Sequence, residues 1–299
     1  MVNDRLDYNF RKSVNPKIAD HKHLHKFASQ IYSSYCFLTG RFHTLPDFYI
    51  LGGQKCGTTS LFLYLSKHPD VLSPTAKDIR FFDKYFFKGK NWYSVYFPTI
   101  FNKFVKKSTL TGEATERYLD HPHAPTRLKS VTPNAKFIIL LRNPVDRAYS
   151  HYTMIVKHGQ EKLSFKDAIK NEKEKFFPIY QKMIQDSNYY NDLYFRHGYL
   201  HRGIYVDKIK QWFKIFPKEQ FLIIQSEDLF DNTNSVYQKI LEFLELPEYE
   251  LPYYEQYRKQ NYESNEMDLD IQNELIDFFK PYNQQLSDLL GMEFNWNQR

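Results

Sequence analysis

The stretch YILGGQKCGTTSLFLYL, residues 49–65, decides the fold. An apolar run ending at Leu51 leads into glycines at positions 52, 53 and 57, and a helical pattern follows from Thr58 to Lys67. A buried strand, a glycine loop and a helix in this order are typical of a phosphate-binding loop in an α/β protein. The spacing fits G-x-x-x-x-G-K-[ST], except that Thr58 stands at the lysine position and Lys55 lies inside the loop.

This loop allows three interpretations: a damaged ATPase, a chance glycine cluster, or a loop built for another phosphate compound. A simple strand-to-helix turn explains one glycine, but not two further glycines, a lysine and three hydroxyls in nine residues. Glycine amides and a helix N-terminus favour an anion. An ATPase is disfavoured because the lysine is missing and no strand ends in a convincing Mg²⁺-binding aspartate.

Apolar runs and helical patterns alternate along the rest of the chain. Strand-like runs occur at 48–51, 136–141 and 220–225, with weaker ones at 71–72 and 109–114. Helical patterns occur at 143–157, 199–216, 233–244 and 269–290. The alternation predicts an α/β fold, a P-loop-like three-layer domain with a central parallel sheet flanked by helices. We expect a basic N-terminal arm at residues 1–45 and a single α/β domain at residues 46–299.

Composition narrows the class of protein. The 41 basic and 35 acidic residues leave a net charge of +6, spread along the chain, which favours anionic ligands over nucleic acid. The 18% of aromatic residues indicates core packing more than a ring-lined acceptor cleft. Two cysteines exclude a disulfide framework or a zinc site, and Cys56 is interpreted as a small filler rather than a nucleophile. With no long apolar run and no leader pattern, a cytoplasmic location without a membrane span is predicted.

A second constellation is LLRNPVDRAYSHY, residues 140–152. The strand ends near Arg142, Asn143 can cap a helix, and Pro144 fits the first helical position. Asn143, Arg147 and Ser150 then share one helix face. An arginine and a hydroxyl near a helix N-terminus suit a second phosphate, although an arginine paired with a carboxylate is the alternative. Two such sites at neighbouring strand ends suggest a nucleotide with phosphate at both ends of its ribose.

Together these motifs resemble the PAPS-dependent sulfotransferases, most closely the branch of the heparan sulfate enzymes and their bacterial homologues. Further matches are HPDVLSP with RFFDKYF, GEAT at residues 112–115, and RGIYVDKIKQWFKIFPKEQFLIIQSEDLF at residues 202–230. They extend from about residue 46 to residue 290.

The resemblance implies a co-substrate, PAPS (3′-phosphoadenylyl sulfate), and no metal. Lys55 would hold the bridging oxygen of the phosphosulfate, and Arg142 with Ser150 would bind the 3′-phosphate. Asp78 is the matching position of the catalytic base. The 5′-phosphosulfate loop comprises Gln54, Lys55, Cys56, Gly57, Thr58, Thr59 and Ser60.

Some positions depart from the family pattern. Aspartate stands at 78 where glutamate is usual, Arg80 stands where histidine is common, and Ala114 occupies the place of a lysine. The glycine-lysine-arginine loop has no clear counterpart near YRKQNYESNEMD. Asp83 and Glu113 are alternative bases, and Asp78 could instead be a turn aspartate.

The expected reaction moves a sulfuryl group to a hydroxyl or amine of an acceptor, most readily a carbohydrate. The predicted substrate residues are Arg80, Asp83, Glu113 and Tyr118, with Lys84, Tyr85, Trp92, Tyr93 and Arg117 as further cleft candidates. The rivals are a P-loop nucleotide-dependent kinase and an inactive relative that binds polyanions. No pattern in the sequence indicates the oligomeric state.

Overall fold

Five parallel strands form the centre of the structure, a computed structural model that describes residues 22–105, 109–254 and 267–297. The strands are β1 (Phe48–Gly52), β2 (Val71–Leu72), β3 (Leu110–Ala114), β4 (Lys136–Leu141) and β5 (Phe221–Gln225). Their order across the sheet is β2-β3-β1-β4-β5, and every neighbouring pair is parallel. The predicted α/β fold with a central parallel sheet is confirmed.

Helices cover both faces of this sheet. Those up to β4 are α1 (Lys22–Thr39), α2 (Thr58–Leu65), α3 (Lys90–Ser94), α4 (Ile100–Val105), α5 (Arg117–Asp120) and α6 (Ala124–Val131). Those after it are α7 (Pro144–Lys157), α8 (Phe165–Gln185), α9 (Asp192–His197), α10 (Tyr205–Phe213), α11 (Ser226–Asp231), α12 (Thr233–Leu244) and α13 (Leu269–Leu290). None of the helices in the described ranges is long and apolar enough to cross a membrane.

Two hydrophobic clusters sandwich the sheet. Along β4, Phe137, Ile139 and Leu141 face one cluster, whereas Ile138 and Leu140 face the other. Alternate side chains of a strand point to opposite faces, so a strand buried on both sides needs a continuous apolar run. This explains why KFIILL was recognisable from the sequence alone.

The structure contains two long helices, α1 and α8, that the sequence analysis did not predict, and one predicted helix begins at a later residue. Helix α8 contains Pro178, which normally argues against a helix interior, but Ser164 caps its start by accepting from Asp167 N at 3.2 Å. Helix α1 lies within the expected N-terminal arm. Helix α10 begins at Tyr205 rather than near residue 199, because His201–Gly203 forms a separate short turn.

The expected arm, residues 1–45, is partly described. Its residues 1–21 lie outside the described residues, as do 106–108 and 255–266, the second of which holds most of YRKQNYESNEMD. From residue 22 onward the arm contacts the domain, since Asn91 Nδ2 donates to Phe37 O at 3.3 Å and Cys36 is buried. The division into arm and domain stays a proposal.

Candidate functional site

The glycine loop between β1 and α2 has a backbone that few residues can adopt. Gly57 precedes the helix at φ 90°, and a Cβ there would lie 3.0 Å from the Phe230 ring. Lys55 also has a positive φ of 78°, uncommon for a residue with a side chain. Unusual backbone conformations of this kind concentrate at ligand sites.

Helix α2 begins at the loop, with Thr58 at its first position. The first amides of any helix have no acceptor within the helix, and its dipole places partial positive charge there. Thr59 Oγ1 accepts a hydrogen bond from Lys77 Nζ at 2.6 Å. A second lysine therefore stands beside the loop, in addition to Lys55. This end of the helix carries the donors and the charge that bind an anion.

The two phosphate-site candidates meet in space. Strands β1 and β4 are neighbours, and Gly52 pairs with Leu140, so the segments that follow them leave the sheet side by side. Arg142 Nη1 donates to the backbone oxygen of Lys55 at 3.2 Å. Tyr205 in turn donates to Arg142 O at 2.9 Å. Residues almost ninety positions apart thus form one site.

The helix after Arg142 begins as the sequence predicted. The side chain of Asn143 accepts from Val145 N at 3.0 Å, and Pro144 opens α7. Ser150 is 3% exposed, two turns into the helix. Arg147, which shares that face, is fully buried and donates to Tyr199 O, so it packs behind the loop.

Two of the predicted loop residues turn their side chains inward. Gln54 Oε1 accepts from Arg202 Nη1 at 2.6 Å, and Arg202 is fully buried in an ion pair with Asp120 at 2.6 Å. Burial raises the pKa of the Cys56 thiol, which lies 3.9 Å from Tyr205 Oη. A buried, protonated thiol is a poor nucleophile. Gln54 and Cys56 therefore anchor the loop from behind.

Asp78 lies at the carboxyl end of β3, the other neighbour of β1. Its amide donates to Ala114 O at 3.2 Å, and its φ is 61°. Its charge contributes to raising the pKa of Glu113 and of Arg80, so the three groups are close. Because the sheet order is β3-β1-β4, Asp78, Lys55 and Arg142 lie at three adjacent strand ends.

Arg80 and Asp83, both predicted as substrate residues, are buried in an ionic cluster. Arg80 Nη2 lies 3.1 Å from Asp83 Oδ2, and the two side chains are 8% and 0% exposed. Asp192, which is 44% exposed, contacts Lys84 at 3.2 Å and Arg117 at 3.1 Å. The ring of Tyr190 lies under the guanidinium of Arg80 at 5.2 Å.

Glu113 and Tyr118 are fully buried, so the structure keeps both from the surface. The Glu113 carboxylate accepts from Thr115 at 2.7 Å, from Tyr118 at 2.8 Å and from Tyr93. Burial raises the pKa of Glu113 to about 7, although these hydroxyls act in the opposite direction. The Tyr118 hydroxyl, which donates to Glu113, accepts in turn from Phe81 N at 2.8 Å, so its hydrogen bonds are made within the protein.

The cleft candidates Tyr85, Trp92 and Tyr93 are core residues. Each belongs to the hydrophobic cluster on one face of the sheet, and Tyr93 stacks on Phe81 with ring centroids 4.4 Å apart. The interpretation of the aromatic residues as core packing is confirmed for these three.

Lys77, Arg202, Tyr190 and Asp192 were not singled out from the sequence. Lys77 immediately precedes Asp78, between two matched stretches, and Arg202 opens the matched RGIYVDK segment. Tyr190 and Asp192 come from a loop and helix that matched no motif. Only the packing of this segment against residues 80–84 reveals them.

Comparison with known proteins places these motifs in one family. The profile described as "Sulfotransferase domain" matches residues 45–278. A "Membrane-associated sulfotransferase kil1" from Dictyostelium discoideum is 27% identical over 86% of this chain and 68% of its own length. The human "Bifunctional heparan sulfate N-deacetylase/N-sulfotransferase 3" is 32% identical over 70% of this chain, which spans only 23% of that relative.

A solved structure agrees with this family. A crystal structure of a sulfotransferase from Alicyclobacillus acidocaldarius is similar to this chain with a TM-score of 0.64 and 28% identity, over 85% of this chain and 100% of that one. The kinase alternative receives no support from any of these matches. By its profile, its relatives and its fold, this chain belongs to the sulfotransferase family and is a transferase enzyme.

Proposed function

We propose that this enzyme transfers the sulfuryl group of PAPS to a hydroxyl or amine of a carbohydrate. One observation carries the proposal: the strand order β3-β1-β4 brings Asp78, Lys55 and Arg142 to adjacent strand ends. A carboxylate, a loop lysine and a strand-end arginine are the base, the leaving-group cation and the 3′-phosphate ligand that this reaction needs.

The residues present suit PAPS as the donor. Amides at the start of α2, together with Lys55 and the hydroxyls of Thr58 and Thr59, offer donors for the 5′-phosphosulfate. Arg142 reaches Lys55 O and so stands at the edge of the same loop, where it can pair with the 3′-phosphate. PAPS, when bound, supplies a sulfuryl group joined to a 5′-phosphate that leaves as 3′,5′-ADP.

In the proposed mechanism, the acceptor oxygen or nitrogen attacks sulfur in line with the bridging oxygen. The new bond to sulfur forms as the bond from sulfur to the bridging oxygen breaks. Asp78 accepts the proton that the acceptor loses. Lys55 stabilises the negative charge that develops on the bridging oxygen, the atom that leaves with 3′,5′-ADP. Asp78 thus acts on the attacking group of the acceptor, and Lys55 acts on the leaving group.

The carbohydrate acceptor is supported by the relatives and by the surface beside Asp78. Several relatives are named for heparan sulfate, an acidic glycan. Beside Asp78, the cations Lys84 and Arg117 both contact Asp192, and Lys84 lies over the Tyr190 ring. The Asp192 side chain is more exposed than those of Lys84 and Arg117. Cations with an aromatic ring suit a sugar that bears acidic groups.

We keep the cytoplasmic location as a prediction. The described helices include no membrane span, and the Dictyostelium relative is named as membrane-associated. The location is therefore not confirmed.

Two measurements test the proposal. In thermal unfolding, 3′,5′-ADP should raise the Tm, whereas ATP with Mg²⁺ should not, because only 3′,5′-ADP has the 3′-phosphate that we assign to Arg142. Stabilisation by ATP with Mg²⁺ alone would support a kinase instead.

Labelled PAPS should then pass its sulfuryl group to an acidic glycan in an acceptor screen. Stabilisation by 3′,5′-ADP without transfer to any glycan, lipid or phenol would indicate the inactive polyanion-binding relative.

A further inference from the structure

An unusual number of apolar side chains face solvent in three segments of the described residues. Of the seventeen exposed large hydrophobic residues in the described ranges, ten fall in residues 31–42, at Phe87 and in residues 100–105. Phe104 is 84% exposed, Phe87 74% and Phe37 73%. Soluble proteins rarely group exposed apolar residues in this way unless the surface binds something. We call these three segments the apolar–basic face.

The segments are neighbours in the fold. Asn91 in α3 donates to Phe37 O at 3.3 Å, and Ser94 donates to Gly40 O at 2.7 Å. His43 and Thr99 form an isolated bridge, directly before α4. The end of α1, the helix α3 after Phe87 and the start of α4 therefore lie side by side.

Both helices present an apolar stripe outward. In α1, Ile31, Tyr35 and Leu38 are exposed at spacings of four and three residues, which places them on one face. Helix α4 has no buried residue at all, and four of its six residues are exposed Ile, Phe or Val. Packing against the rest of the described residues therefore does not account for its apolar side chains.

The charge of these segments is one-sided. Residues 31–46 contain one basic and no acidic residue, and residues 87–105 contain three basic and none acidic. These four positive charges make up most of the net +6 of the whole chain. Basic residues are spread along the chain, but acidic ones avoid these two segments.

The basic side chains lie among the rings. Arg41 is exposed, with its guanidinium 4.8 Å from the centre of the Phe42 ring, and Lys88 Nζ lies 4.9 Å from the Trp92 ring. Lys90 is exposed, whereas Lys103 is paired with Asp47 at 2.7 Å. Phenylalanine, isoleucine and leucine with interspersed Lys and Arg is the composition that inserts into the headgroup region of an anionic membrane.

We propose that the apolar–basic face docks this enzyme on the surface of an anionic membrane. Its exposed Phe side chains insert at the level of the headgroups, and its basic residues pair with lipid phosphates and carboxylates. A second copy of the chain is disfavoured as the occupant, because a symmetric contact would bring the positive charges against each other. The inference does not depend on the acceptor or on the reaction.

Vesicle flotation tests the proposal with the full chain at low salt. We expect it to float with vesicles of equimolar phosphatidylcholine and phosphatidylserine, and to remain unbound with phosphatidylcholine alone. A Phe101→Ser/Phe104→Ser variant and an Arg41→Glu/Lys90→Glu variant should each weaken binding by roughly twentyfold or more. The controls are Leu269→Ser for apolar exposure and Lys210→Glu/Lys214→Glu for charge; both variants lie outside the face and should bind normally.

The same variants should keep the Tm and the 3′,5′-ADP stabilisation of the unmodified chain, which shows that they fold. The proposal is overturned if the unmodified chain does not float, or if the Phe variant floats as well as its control. The latter outcome would indicate a polyanion site that needs charge alone. A dimer in sedimentation that the Phe variant dissociates would assign the face to a second copy and would also overturn the proposal.

Discussion

At the scale of single residues, the backbone of the loop accounts for the position of Lys55. With a φ of 78°, Lys55 lies between Gly53 and Gly57, three residues before the position of the lysine in an ATP-binding loop. Arg142 holds the Lys55 carbonyl, so the loop conformation is supported from the neighbouring strand. In the proposed mechanism this side chain contacts the phosphosulfate at the start of α2.

We expect Lys55→Ala to lower sulfuryl transfer by at least about a hundredfold, because removing one preorganised stabiliser of transition-state charge has that effect. Binding of 3′,5′-ADP should persist, since the α2 amides and Arg142 remain. Turnover of labelled PAPS and calorimetry with 3′,5′-ADP measure the two. The control is the exposed Lys214→Ala. Undiminished turnover would remove Lys55 from the mechanism.

Asp78 is assigned as the base through its position at the end of β3. We expect Asp78→Asn to lower the rate by roughly a hundred- to ten-thousandfold while 3′,5′-ADP binds as before, because the amide keeps the shape but accepts no proton. The exposed Asp207→Asn serves as its control. A near-normal rate in the Asn variant would move the base elsewhere and leave Asp78 a turn residue.

Glu113 is a buried acid, and it makes stability depend on pH. Burial raises its pKa from 4.5 to about 7. The folded state therefore holds this proton more tightly than the unfolded chain, so the group's stabilisation is complete below about pH 4.5 and is lost as the pH rises through about 7.

In Glu113→Gln this dependence should disappear. The unfolding free energy of the unmodified chain, minus that of the variant, should fall by on the order of 3 kcal/mol across this range. Urea unfolding at several pH values checks it, with the exposed Glu219→Gln as control. Parallel curves for the unmodified chain and the Gln variant would mean that Glu113 does not titrate there.

At the scale of elements, the end of β4 and the start of α7 make a unit with Arg142 at its turn. Strand β4 pairs with β1 and β5. The side chain of Asn143 caps α7, and its backbone N–H donates to the Glu227 carboxylate at 2.8 Å. Strands β1, β4 and β5, together with Glu227 of α11, thus hold the turn that carries Arg142. Helix α7 could be read from sequence because its Asn cap and Pro are local signals, whereas the contact of Arg142 with Lys55 is not local.

We expect Arg142→Ala to weaken 3′,5′-ADP binding by about 1.5–3 kcal/mol, the contribution of a hydrogen bond to a charged group. Binding of 5′-ADP, which lacks the 3′-phosphate, should change much less, so the difference between the two nucleotides isolates the contact. Calorimetry with both ligands measures it. Equal losses for both would place Arg142 in loop support rather than at the 3′-phosphate.

At the scale of the whole molecule, the sheet separates two hydrophobic clusters, one on each face. The side chains of β4 alternate between them: Ile138 and Ile139 are adjacent and fully buried, and they belong to different clusters.

We expect each of the substitutions Ile138→Ala and Ile139→Ala to cost about 2–5 kcal/mol of unfolding free energy. The double variant should lose nearly the sum, because the two side chains pack in different clusters on opposite faces of the sheet. Chemical unfolding of the three variants tests this; a strongly non-additive result would mean that the sheet transmits strain between the cores.

Much of the fold was determined by the sequence alone, because its signals are local. Continuous apolar runs indicated the strands, and the ends of α12 and α13 were predicted to the residue by their periodicity. Helix α8 was not predicted from the sequence, although Ser164 is a local cap signal at its start; the structure shows the helix packed against α9. The motifs GGQKCGTTS and LLRNP were equally local, so the family could be named from them.

Only the tertiary structure decided which of the candidate residues stand together. It brought Lys55, Asp78 and Arg142 to adjacent strand ends, buried Glu113 and Tyr118, and turned Gln54 toward Arg202. It also grouped exposed phenylalanines from three segments on one face. The physical reason is that a side chain's role depends on burial and on neighbours distant in sequence, and these arise only when the sheet order and the helix packing are complete.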